Sequence, residues 1–163
     1  MAANKQRLKS RKERGAVIVE MAIVLPLMLL FLAGVVDLGM LFWEQDVLTN
    51  AAREGARAGV RAVAGGAAEQ TKNNIRAITE AYLQANNIKT PAGGLVTLTL
   101  DGNFFIDINS SVNPNRLKVR LEGIQVRMML LPNVMPLFSG TFTNIVNLRA
   151  ETTMAAEWIT PPT

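Results

Sequence analysis

Arg14-Gly15-Ala16-Val17-Ile18-Val19-Glu20 opens a stretch that continues as an apolar run to Trp43. The stretch closes on Asn50-Ala51-Ala52-Arg53-Glu54-Gly55-Ala56-Arg57-Ala58. Ala16 to Trp43 is 28 residues with two charges, Glu20 and Asp37. As a helix it would extend about 42 Å at ~1.5 Å per residue. A bilayer core needs about 20 apolar residues. The run is therefore long enough to span a membrane, with its ends to spare. It reads as an anchor, and the chain after it as a domain carried on the far side.

The charge distribution supports that reading. The chain of 163 residues has a net charge of +4. Residues 1–15 hold six basic side chains (Lys5, Arg7, Lys9, Arg11, Lys12, Arg14) against Glu13, a balance of +5, so the remainder carries −1. Basicity confined to an arm beside an apolar run is a topology signal, with the arm retained in the cytoplasm. It argues against a nucleic-acid partner. The domain organisation that follows is a basic leader at 1–15, a long helix at 16–64 with its span at about 16–43, and an extracytoplasmic domain at 65–163. The arm reads either as a polar tail or as a removable leader. The apolar run is too long for an ordinary secretory signal, and no Ala-x-Ala site ends it. Any cleavage would fall before the span.

The sequence has no cysteine and no histidine. This removes disulfides, thiolate or imidazole metal sites and any triad with an internal histidine. No serine lies in a Gly-x-Ser-x-Gly elbow, and no glycine-rich stretch matches a P-loop or dinucleotide fingerprint. No cofactor and no small-molecule substrate is expected. Carboxylates acting alone, Asp101 and Asp107, are what remains for an enzyme, and a non-catalytic role is the expectation.

Within the run, Glu20 carries two readings. It is an interfacial carboxylate helped by the positive end of the helix, or it pairs with a cation inside an assembly. Pro26 removes one helix donor and frees the carbonyl of Ala22, so a kink is expected there. Arg53, Arg57 and Arg61 recur every four residues and share one helix face. The small residues between them leave a thin helix able to pack closely on a neighbour, and Gly65-Gly66 ends the pattern.

Gly-x-x-x-x-Glu, an apolar span with an early proline, and Asn50-Ala-Ala-Arg-Glu-Gly-Ala-Arg57 together resemble the TadE-like proteins, minor pseudopilins of tight-adherence (Flp-type IVb) pilus systems. Met21 stands where that family more often has an aromatic residue. The resemblance implies a pilin-like, membrane-anchored structural subunit for adhesion and secretion. It implies a prepilin peptidase that cuts after Gly15 and leaves Ala16 as the new N-terminus. Glu20 becomes the fifth mature residue, the glutamate such proteins use in assembly. The implied partners are the inner membrane, that peptidase, other pilin or pseudopilin subunits and the assembly machinery. The alternative is an uncleaved bitopic protein with an outer binding or scaffolding module.

The remaining chain predicts an α+β fold: a second, amphipathic helix and a small antiparallel sheet of three to four strands. Ile75, Ile78, Tyr82 and Ala85 have helical spacing. Val96, Leu98 and Leu100 alternate, and Asp101-Gly102-Asn103 predicts a hairpin turn into Phe104, Ile106 and Ile108. Arg116 to Glu122 alternates again, and a change of apolar phase predicts a bulge at Gly123. Even-numbered residues from Val146 to Trp158 form one face of a last strand. Between these strands, Met128 to Phe138 is apolar and broken by Pro132 and Pro136. It reads as a loop folded over the sheet or as a partner-binding patch.

Overall fold

The structure, a computed structural model, describes residues 2–112, 114–138 and 143–163, with residues 2–14, 137 and 138 described in backbone only. Helix α1 covers Ala2–Gly59 and α2 covers Lys72–Ala85. Strands β1 (Phe104–Asn109), β2 (Arg116–Arg127) and β3 (Ile145–Ala155) form an antiparallel sheet in the order β1-β2-β3. A four-residue helix α3 (Leu131–Val134) and a 3-10 turn (Met135–Phe138) lie between β2 and β3. The α+β fold expected from the sequence is the one observed.

Two compact bodies divide the chain. The larger is Gly39–Met128 with Ile145–Thr163. Its core joins Leu48, Ala51, Ala52 and Ala56 of α1 with Ile75 and Leu83 of α2, Phe104 of β1, and Leu117, Val119 and Leu121 of β2. The even residues of β3 turn inward and the odd ones outward, as period-2 alternation requires. The bulge falls where the phase changes. The β2–β3 register shifts between Leu121 and Ile124, and Gly123 takes φ +65°, a conformation that glycine adopts without a side-chain penalty.

On the outer sheet face Glu151 accepts from Lys118 at 3.1 Å and Arg149 at 3.0 Å. Hydrogen bonds from these two cations hold its carboxyl below the usual range. Asp107 lies 3.8 Å from Arg120 on the same face, and Asp101 occupies a positive-φ turn.

Three expectations need correction. Helix α1 was expected to reach Ala64 and ends at Gly59. Its last carbonyls have other partners: the Trp158 indole donates to Gly59 O at 2.7 Å, and the Glu157 amide donates to Val60 O at 2.9 Å. At the other end the helix takes in residues 2–15, read above as a polar tail. Lys, Arg, Gln and Glu there are good helix formers.

Residues 96–100 are not a sheet strand. Their backbone groups bond to α2 side chains instead. Leu98 N donates to Glu80 Oε2 at 3.0 Å, Leu98 O accepts from Arg76 at 2.8 Å, and Val96 O accepts from Gln84 at 3.3 Å. Asn103 takes the next groups, accepting from Thr99 N at 2.7 Å and donating to Thr97 O at 2.9 Å. The expected hairpin at Asp101–Asn103 is a tight turn into β1, and β1 pairs with β2.

The apolar Met128–Phe138 segment was read as a loop folded over the sheet or as a partner-binding patch. From Met129 onward it belongs instead to the smaller body, Met1–Leu38 with Met129–Asn144. The cause is Asp37, described next.

Candidate membrane and assembly interface

Gly15, Ala16 and Glu20 are exposed on α1, and Pro26 lies inside it, half-buried. Large apolar side chains stand in solvent from Val17 to Trp43, among them Ile23 at 70% and Phe31 at 73% exposure. Water disfavours such a surface. From Gly15 to Gly59 the helix is long and apolar enough to cross a membrane, and little of its most apolar part is buried by protein. A helix hydrophobic all round and uncovered suits lipid. The chain thus has the build of a single-pass membrane protein.

The closing motif has a different role. Ala51, Ala52, Gly55 and Ala56 are buried, while Asn50, Arg53 and Arg57 are exposed and Glu54 is half-buried. A methyl group on Gly55 would collide with Thr79 Oγ1 of α2, and one on Gly59 would come within 2.5 Å of Leu117 and 3.0 Å of Ile75. The small residues let α2 and β2 approach the helix closely. The neighbour expected for this thin helix is the chain's own domain. Gln45 adds a bond to the same body, donating to Arg149 O at 2.8 Å. The arginine face stays outward: Arg53 meets Asn50 at 3.4 Å and Arg57 meets Glu54 at 4.0 Å.

Asp37 is the residue whose structural role the sequence pattern underrated. The second charge of the apolar run, it is 1% exposed. Its Oδ1 accepts from the amides of Met129 at 3.2 Å and Leu130 at 3.0 Å, and its Oδ2 from Leu130 at 3.0 Å and Leu131 at 2.7 Å. These amides precede and open α3, where the helix itself supplies no acceptors. A carboxylate is the strongest acceptor a side chain offers there. Pro132 at the start of α3 was the available signal, since proline favours a helix start and leaves unpaired amides before it.

A cleft of about 360 Å³ lies beside Ser110, Ser111, Asn115 and Trp158, with Glu157 its one ionisable group among the described residues.

An uncovered apolar helix beside a small α+β domain fits a membrane-anchored protein. Residues 15–57 match the family described as TadE-like protein. The match begins at the glycine before the apolar run and ends on the last arginine of the Asn50–Arg57 motif. Together with the apolar helix it points to a membrane-anchored protein related to Tad pili. No curated protein and no solved structure matches the chain.

Proposed function

We infer that this chain is a minor pseudopilin, a non-catalytic, membrane-anchored subunit used in assembling tight-adherence pili for adhesion and secretion. The observation that carries it is the uncovered apolar helix with Glu20 as its one charge between Ala16 and Val36, inside the TadE-like match. In this reading residues 1–15 are a leader on the cytoplasmic side of the inner membrane. A prepilin peptidase cuts between Gly15 and Ala16. The domain of residues 66–163 is on the outer side of that membrane, and Glu20 meets an N-terminal amine within the assembly. An exposed Gly15, with open space around its Cα, suits access by a peptidase. A bulky residue at Gly15 should block processing.

The test is N-terminal sequencing and intact mass of protein taken from pilus-producing cells. Ala16 at the N-terminus is expected. A retained 1–15 arm would sink the pseudopilin reading and favour the uncleaved bitopic protein.

A further inference from the structure

The segment from Met129 to Pro136 combines exposed apolar side chains with a fully paired set of backbone donors. Met129 is 58% and Leu130 40% exposed, while Leu131, Val134 and Met135 are half-buried. Yet each backbone amide in it has a partner within the protein. Met129, Leu130 and Leu131 donate to Asp37. Asn133 and Val134 donate to Leu130 O at 3.0 and 3.1 Å, and Met135 donates to Leu131 O. Pro132 and Pro136 have no amide to satisfy. The Asn133 side chain donates to Met129 O at 2.7 Å.

In water such donors need no protein partner. In hydrocarbon each unsatisfied group costs several kcal/mol, so a segment that enters it needs its backbone donors paired. The surrounding sequence agrees, because no charged residue occurs between Arg127 and Arg149.

The bond to Asp37 also attaches the segment to the apolar run of α1, within one compact body.

We propose that residues 129–136 are a second membrane contact: a short helical element that inserts Met129 and Leu130 among lipid acyl chains, with Asp37 holding its backbone. The proposal rests on α1 spanning the membrane. Its occupant is lipid hydrocarbon, continuous with the lipid that covers the exposed face of α1.

The chain contains no cysteine, so single labels can be placed directly. Full-length Met129→Cys and Leu130→Cys carry an environment-sensitive fluorophore in phosphatidylcholine–phosphatidylglycerol vesicles. Phe31→Cys marks the span, and Thr153→Cys, exposed on β3, marks the aqueous domain. Quenchers are nitroxides on the upper acyl chain and aqueous iodide. The expected result is loss of emission with the lipid nitroxide at residues 129, 130 and 31, and with iodide only at 153. Iodide quenching at 129 and 130, with residue 31 still lipid-quenched, overturns the proposal and leaves the span standing. Shielding of 129 and 130 from both quenchers also overturns it and assigns the patch to a protein contact. Failure of residue 31 to respond to the lipid nitroxide removes the span and the proposal together.

Discussion

Glu20 and Asp37 are both carboxylates in one apolar run, and their surroundings make them opposites. Glu20 is exposed and has no hydrogen-bond partner among the described residues, whereas Asp37 is enclosed by three amides. Removing the acceptor leaves three part-buried donors unsatisfied, at about 1 kcal/mol each, the low end of the range for lost partners. Asp37→Ala should therefore release the α3 segment while the larger body stays folded, because no residue of that body bonds to the carboxylate. At about 3 kcal/mol, and tenfold per ~1.4 kcal/mol, amide exchange at Leu130 and Leu131 should accelerate roughly 100-fold. Asp37→Asn keeps one carbonyl acceptor and should fall between. Hydrogen-exchange mass spectrometry on the detergent-solubilised full chain measures this. Unchanged protection at 129–131 in the alanine variant would mean that something else holds the segment. Sequence patterns could find Asp37 as a charge in an apolar run. They could not find its partners, which lie about ninety residues away and are backbone groups that any residue would carry.

At the scale of elements, the contact between α1 and α2 is set by absence of side chain. Gly55 faces Thr79, whose hydroxyl donates back to Ile75 O at 2.8 Å and fills the space a Cβ would need. Gly55→Ala should push α2 outward and cost about 1–3 kcal/mol, as overpacking does. Thr79→Ala removes the obstructing oxygen, leaving a new Cβ at 3.5 Å from the residue-79 Cβ and 3.7 Å from Val119, which is ordinary contact. The double variant should recover most of the loss, a coupling that chemical-denaturation midpoints of the four chains would reveal. Additive losses would show that the two positions do not press on each other. The small residues of 50–59 were readable as a close-packing face, but not the element that fills it. Strand alternation in β2 and β3 was legible because each strand buries one face against a core. Residues 96–100 alternate in the same way, with Val96 and Leu98 buried, and are no strand. Their burial has the period of a strand, and Arg76, Glu80 and Gln84 satisfy the backbone that a neighbouring strand would otherwise pair. Alternation reports burial, and hydrogen-bond partners are decided by tertiary structure.

At the scale of the molecule, the folded domain satisfies its own α1 face at 47–59, and the face left uncovered is the span with Glu20 near its start. A charge there costs about 2.5–3.5 kcal/mol at mid-membrane and less one turn from a helix end. Once Ala16 is the N-terminus, as proposed above, its amine is a cation about one helical turn from Glu20. Glu20 can meet that amine in its own chain or in a neighbouring subunit. Opposite charges ~4 Å apart gain about 4 kcal/mol at an effective dielectric near 20, and desolvation offsets much of it. The pair then acts more on register than on stability, because a subunit shifted along its neighbour leaves both charges unpaired in an apolar layer. Neither membrane insertion nor cleavage depends on that pairing. Glu20→Ala and Glu20→Gln should thus be processed and inserted normally but incorporated poorly, the glutamine variant failing despite its equal shape because the charge is gone. Processed protein in membranes, compared with protein in sheared pilus preparations for each variant, separates the two steps. Normal incorporation of both variants would reduce Glu20 to an interfacial carboxylate and leave the packing of the span to set the register alone.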